Sequence, residues 1–202
     1  MSELEAQVCD YVLSFDPGGS QKTWAYALSS VRETRGRAAY GLIESGFCPT
    51  IEDLSRPDFS TLADFLHALV DRHQLGTRYT CDLVAERYVG RGHTGSLNEF
   101  IPFHLGFWTT MWQQLGLGKV RAIMASQWKL KAKKWNSSYS FASTGFENWW
   151  EDYFSFYLPT WDQKRSKSCD KHIQDACAIG WYYWYYEMSI NCLPQGIKEL
   201  LC

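Results

Sequence analysis

The first 46 residues hold three strand-length runs with no helical period between them, and the chain then alternates helix and strand. That order restricts the fold more than any other feature. YVLSFD (11–16) is a short apolar run, and Asp16-Pro17-Gly18-Gly19 after it is a turn signal, since proline fixes φ and glycine supplies positive φ. TWAYALSS (23–30) and RAAYGLIESG (37–46), with Gly36 between them, complete an antiparallel meander. In 60–74, Leu62, Phe65, Leu66, Leu69 and Val70 form one helical stripe, with Ser60 as the expected N-cap. CDLVAERYV (81–89) returns to strand, a helix is expected from Leu97 to Leu115, KVRAIMAS (119–126) reads as a further strand, and 170–188 as a closing helix. A meander followed by alternating helices and strands specifies an α/β fold: a mixed five-stranded sheet, antiparallel then parallel, flanked by helices.

A length of 202 residues suits one domain, and it buries a core without staples. The seven cysteines include no CxxC pair and are odd in number, so reduced thiols are expected. The opening MSELEAQVCD is acidic, unlike a signal sequence, and no apolar run reaches membrane-spanning length. A soluble, cytoplasmic chain with no membrane partner is expected. GFENWWEDYFSFYLPTW (145–161) sets Phe146, Trp149, Trp150, Tyr153, Phe154 and Tyr157 at helical spacing, which predicts an aromatic helical segment within about 139–162.

The formal net charge of −2 excludes a chain that is basic all over, yet 119–134 carries six basic residues and no acidic one. Lys129, Lys131, Lys133 and Lys134 lie in this run, and Lys164, Arg165, Lys167 and Lys171 follow. Such a patch meets phosphates electrostatically or is a solvated face, and charge alone leaves both open.

Three acids share one setting. Asp16 ends an apolar strand before a glycine turn, Glu86 ends LVAE, and Asp175 sits early in the closing helix among alanine, isoleucine and cysteine. A carboxylate in an apolar segment is costly unless it is protonated, paired or bound to a cation. If the strands ending in Asp16 and Glu86 are neighbours, the acids converge, and converging carboxylates call for a hard divalent ion such as Mg²⁺ or Mn²⁺. His172, three residues before Asp175, shares its helix face, whereas Asp170 reads as an N-cap.

These segments, VLSFDPGGSQKTWAYAL, LVAERYV and HIQDACAIGWYYW, with the helix near Asn98 and the strand leading to SQWK, resemble the RuvC-type Holliday-junction resolvases of the ribonuclease-H-like superfamily, in a divergent form similar to the phage-encoded branch. The resemblance implies a ribonuclease-H-like sheet and a metal-dependent endonuclease that cuts branched DNA. It implies two Mg²⁺ or Mn²⁺ ions on Asp16, Glu86 and Asp175, with His172 as a further ligand or as the residue orienting the water. Lys129 would stabilise charge on the scissile phosphate or make a general phosphate contact. The family's junction-wedging aromatic lies three residues after the glutamate, where this chain has Val89 beside Tyr88; Tyr88, Arg91 and the lysines 129, 131, 133 and 134 become the expected DNA contacts.

Two symmetric cuts need two acidic centres, so a homodimer is expected. The helix from Leu97 to Leu115 carries a stripe of Phe100, Ile101, Trp108, Met111, Trp112 and Leu115, and a second apolar face of Phe103 and Phe107 beside Gly106. That surplus points to a second chain or to packing under the aromatic insertion. Among other readings, an actin or sugar-kinase type nucleotide binder needs two such domains, so no nucleotide cofactor is expected. A ribonuclease H acting on RNA–DNA hybrid or single strands, and a catalytically silent DNA-binding module, share the fold and differ in what they cut.

Overall fold

Val12, Leu13 and Phe15 put apolar side chains on both faces of residues 11–16, and a strand buried on both faces belongs in the middle of a sheet. The computed structural model of the chain describes residues 9–17, 24–34, 37–51, 57–87, 97–129 and 167–189, and places that strand there. β1 (Tyr11–Pro17), β2 (Trp24–Thr34), β3 (Arg37–Phe47), β4 (Cys81–Arg87) and β5 (Val120–Met124) form one sheet in the order β3-β2-β1-β4-β5. β1 pairs antiparallel with β2 and parallel with β4; β2–β3 is antiparallel and β4–β5 parallel. This is the mixed five-stranded sheet expected from the element order. The aromatic segment at 139–162, Tyr88, Arg91, Lys131, Lys133 and Lys134 lie outside the described residues.

Alternation along each strand divides the core in two. Leu13 and Phe15 of β1, Trp24, Tyr26 and Leu28 of β2, and Leu83 and Ala85 of β4 face one side. There they pack with Leu62, Leu66 and Leu69 of α1 (Ser60–His73) and Phe100, Trp108 and Trp112 of α2 (Leu97–Gln114). Val12, Val84 and Ile123 face the other side, under Ala178, Ile179 and Trp181 of α3 (Lys167–Tyr182). Ala25 and Ala27 of β2 meet Ile173, Ala176 and Cys177, and the small alanine and cysteine side chains let α3 lie close to the sheet. Among the described residues no helix is long and apolar enough to cross a membrane. Cys9, Cys48, Cys81 and Cys177 are free and buried, and burial pushes the Cys9 thiol up to about 12.

Several local expectations are corrected. Ser60 does not cap α1: it is the first helical residue, and the Asp58 carboxylate two positions back accepts its N–H at 2.8 Å. Asp170 is not an N-cap, because α3 begins at Lys167. The closing helix is α-helical only to Tyr182 and continues as a π-helix over Tyr183–Ser189, where the Tyr183 hydroxyl donates to buried Asp82 at 2.8 Å. β5 stops at Met124 and residues 125–129 are helical, so the chain turns back at once toward β4. On α2, Phe107 stacks on Phe59 at 5.1 Å within the same chain, and Phe103 is left 45% exposed; the apolar surplus of this helix is smaller than its sequence suggests.

The end of α1 is tied to β3 through Glu44, which accepts from the Tyr26 hydroxyl at 2.7 Å and from Arg72 at 2.9 Å, with His73 Nε2 2.8 Å from its second oxygen. Burial alone would raise the Glu44 pKa; the bonds from His73 and Tyr26 and the Arg72 charge outweigh it and hold the carboxyl below its usual range. A carboxyl whose folded pKa is depressed stabilises the fold above its unfolded pKa, and that contribution is lost as pH falls through the folded value. Glu44→Gln is therefore expected to lower the melting temperature at pH 7, with the gap to wild type closing as melts are taken to progressively lower pH.

Candidate active site

Strand parity brings the acids together. Phe15 pairs with Ala85 across the parallel β1–β4 ladder, so Asp16 and Glu86 are the next residues along two adjacent strands and end at the same edge of the sheet. Both continue the alternation of Val12 and Val84 and so belong to the face covered by α3. α3 delivers two more groups to that edge from one of its own faces: His172 Nδ1 lies 2.6 Å from Asp16 Oδ2, and Asp175 follows one turn on. Asp16 and Asp175 are 4% and 9% exposed.

The turn after β5 completes the arrangement. Its Trp128 is fully buried and donates its indole N–H to Glu86 Oε2 at 3.0 Å. The Lys129 ammonium lies 4.7 Å above the Trp128 ring, 3.6 Å from Glu86 Oε2 and 4.0 Å from Asp175 Oδ2. Asp16, Glu86, His172, Asp175 and Lys129, named from sequence, thus meet at one edge, joined by contacts between β1 and α3 and between the turn after β5 and both β4 and α3. Burial pushes the Glu86 carboxyl above its usual range and the Asp16 charge adds to this, while Lys129 and the Trp128 bond oppose it.

The donor chemistry fits a hard divalent cation: three carboxylates share the edge, and the described cationic groups touching them are Lys129 and, when protonated, His172. Among the described residues no three His, Cys, Asp or Glu side chains already converge as a ligand set. The donors stand instead in internal pairings, His172 with Asp16 and Lys129 with Glu86 and Asp175, and these would have to open for an ion to enter.

Sequence reasoning missed Trp128 as part of this edge, because an aromatic within a basic run reads as core or as a stacking platform. Nothing local signals that its N–H returns to Glu86. Asp82 is the converse case. It is a buried acid in an apolar strand, of the same kind as Asp16, yet it lies at the opposite end of β4, satisfied by the Tyr183 hydroxyl and the Lys119 N–H, both at 2.8 Å. An acid in an apolar strand is thus a clue only together with the edge it occupies.

No family model matches the chain, and no curated protein matches it by sequence. Solved structures do match. Thermus thermophilus RuvC is 18% identical with a TM-score of 0.56, over 88% of this chain and 95% of that one. The same protein in complex with Holliday junction substrate gives 17% and 0.55, over 89% and 96%. The yeast mitochondrial Holliday junction resolvase Ydc2 gives 15% and 0.53, over 90% and 84%. The mixed sheet with its flanking helices, matched along nearly the full length of these chains at low identity, is the RuvC-like resolvase fold in a divergent sequence.

Proposed function

We propose that this protein is a divalent-metal-dependent endonuclease that hydrolyses phosphodiester bonds in branched DNA, four-way junctions first among them, as a homodimer making two symmetric cuts. The observation that carries this reading is the edge where Asp16 and Glu86 end adjacent parallel strands against His172 and Asp175 of α3. The resolvase structures that share the fold support the choice of substrate, one of them a complex with Holliday junction substrate.

Asp16, Glu86 and Asp175 would hold Mg²⁺ or Mn²⁺, two ions in all, with His172 as ligand or as the group that orients the water. Bound there, the metal supplies Lewis acidity to the phosphate and a more acidic water. The chain's own groups do the rest. The carboxylates keep the edge anionic, and Asp16 and Glu86 are fixed in geometry because their strands are held on both sides. Lys129 is placed to offset charge growing on the phosphate. Attack by water on phosphorus breaks the bond to the 3′ oxygen, leaving a 5′-phosphate and a 3′-hydroxyl.

Purified protein with Mg²⁺ and a panel of four-way junction, fork, linear duplex and RNA–DNA hybrid tests the reading. Paired nicks across the junction, by a species of dimer mass in light scattering, are expected. Preferential cutting of the hybrid would favour a ribonuclease H, and junction binding without nicking under Mg²⁺ a silent module. DNA affinity is expected to draw on Lys131, Lys133 and Lys134. Replacing two of them with alanine should lower the slope of log affinity against log salt by roughly 0.9 for each duplex phosphate no longer neutralised; an unchanged slope would place these lysines away from DNA.

A further inference from the structure

The Lys129 ammonium does not make an ordinary surface ion pair. Its two carboxylate neighbours come from different elements, Glu86 from β4 and Asp175 from α3, and the Trp128 ring lies beneath it. The distances, 3.6 and 4.0 Å, are longer than those of a locked pair such as Arg72 and Glu44 at 2.9 Å. Glu86 Oε2 meanwhile has a shorter, fixed donor in the Trp128 N–H. The ammonium is therefore loosely held between two carboxylates whose orientation does not depend on it alone. A lysine carries a compact charge on a flexible four-carbon stem, which suits a cation that must both fill a position and leave it.

We propose that Lys129 is a tethered counter-ion that partly offsets the charge of Glu86 and Asp175 in the metal-free protein and is displaced when a divalent cation enters. The inference rests on the metal-site reading given above. Its basis is electrostatic: a lysine beside the same carboxylates that bind an ion of twice its charge opposes that ion both by occupying the oxygens and by like-charge repulsion. Once displaced, the stem keeps the ammonium near the edge, where it is available to a phosphate. One residue would then serve the empty site and the loaded one in turn, and metal would bind more weakly than the carboxylates alone allow until a polyanion draws the ammonium away.

Calorimetric titration of Mn²⁺ into DNA-free wild type, Lys129→Met and Lys129→Arg tests this without any measurement of cleavage. Lys129→Met removes the charge at a partly exposed position and keeps most of the stem, and circular dichroism checks that each variant folds. Lys129→Met is expected to bind Mn²⁺ about tenfold more tightly than wild type, a figure below the unscreened Coulomb limit because the ammonium is partly solvated. Lys129→Arg should stay within about twofold of wild type, since its charge is retained. Equal affinity in all three proteins, or weaker binding by Lys129→Met, would overturn the counter-ion role while leaving the metal site standing. Absence of Mn²⁺ binding in every protein would instead defeat the metal-site reading itself, and this inference with it.

Discussion

Asp16→Asn is expected to lower Mg²⁺-dependent nicking of a four-way junction by at least about a thousandfold, equivalent to about 4 kcal/mol of lost transition-state stabilisation. Binding of the uncut junction should stay within about twofold. Asparagine keeps the shape of a side chain that is almost wholly buried at the end of β1, so β1 and its ladders should persist. What disappears is one negative charge, and with it a hard anionic donor at the edge and the carboxylate contact to His172 Nδ1. DNA affinity drawn from the lysines is a separate electrostatic quantity and should not fall. Gel cleavage assays and binding curves on the same preparation separate the two effects. Nicking at the wild-type rate by Asp16→Asn would remove Asp16 from the chemistry.

Gly118→Ala is expected to cost about 3 kcal/mol of folding stability, lowering the melting temperature by about 6–12 °C for a chain of this size. A Cβ at this position would land on the Cys81 carbonyl, with Asp82 Oδ1 2.8 Å away. Those neighbours cannot give way cheaply. The Cys81 N–H is bonded to the Leu117 carbonyl at 3.0 Å, the Leu83 N–H to the Lys119 carbonyl at 2.8 Å, and Asp82 Oδ1 itself accepts the Lys119 N–H at 2.8 Å. The methyl would force β5 away from β4 where the two strands begin. Gly106→Ala is the contrasting case: a Cβ there meets nothing within 4 Å, and alanine gains about 0.5–1 kcal/mol over glycine in a helix interior. Thermal melts of the two variants should move in opposite directions, and equal shifts would contradict the packing described for Gly118.

The order of elements and the class of the sheet were legible in the sequence because each depends on local burial. Residues that alternate across a two-sided sheet, or repeat along one helical stripe, must carry that period in the chain itself. Asp16 and Glu86 stood out for the same reason, as charges ending apolar strands. The ends of elements were less legible, since a cap or a change of pitch turns on one contact: Asp58 reaching the N–H of Ser60, or Tyr183 reaching Asp82 from the π-helix. Phe107 shows the limit from the packing side. Its apolar face looked surplus until the approach to α1 brought Phe59 against it.

By itself the sequence determined which residues are apolar on which period, and therefore three strands, a helix, and two further strands with helices around them, with acids at two strand ends. Tertiary structure alone decided which acids share an edge. The order β3-β2-β1-β4-β5 sets β1 beside β4, and α3 crosses their common face so that His172 and Asp175 reach Asp16 and Glu86 while Tyr183, farther along the same face, reaches Asp82. The turn after β5 then returns Trp128 and Lys129 to Glu86. The physical reason is that a side chain's period is fixed by its near neighbours, whereas the partner of a buried charge is fixed by which distant segments the core draws together, and no local pattern records that choice.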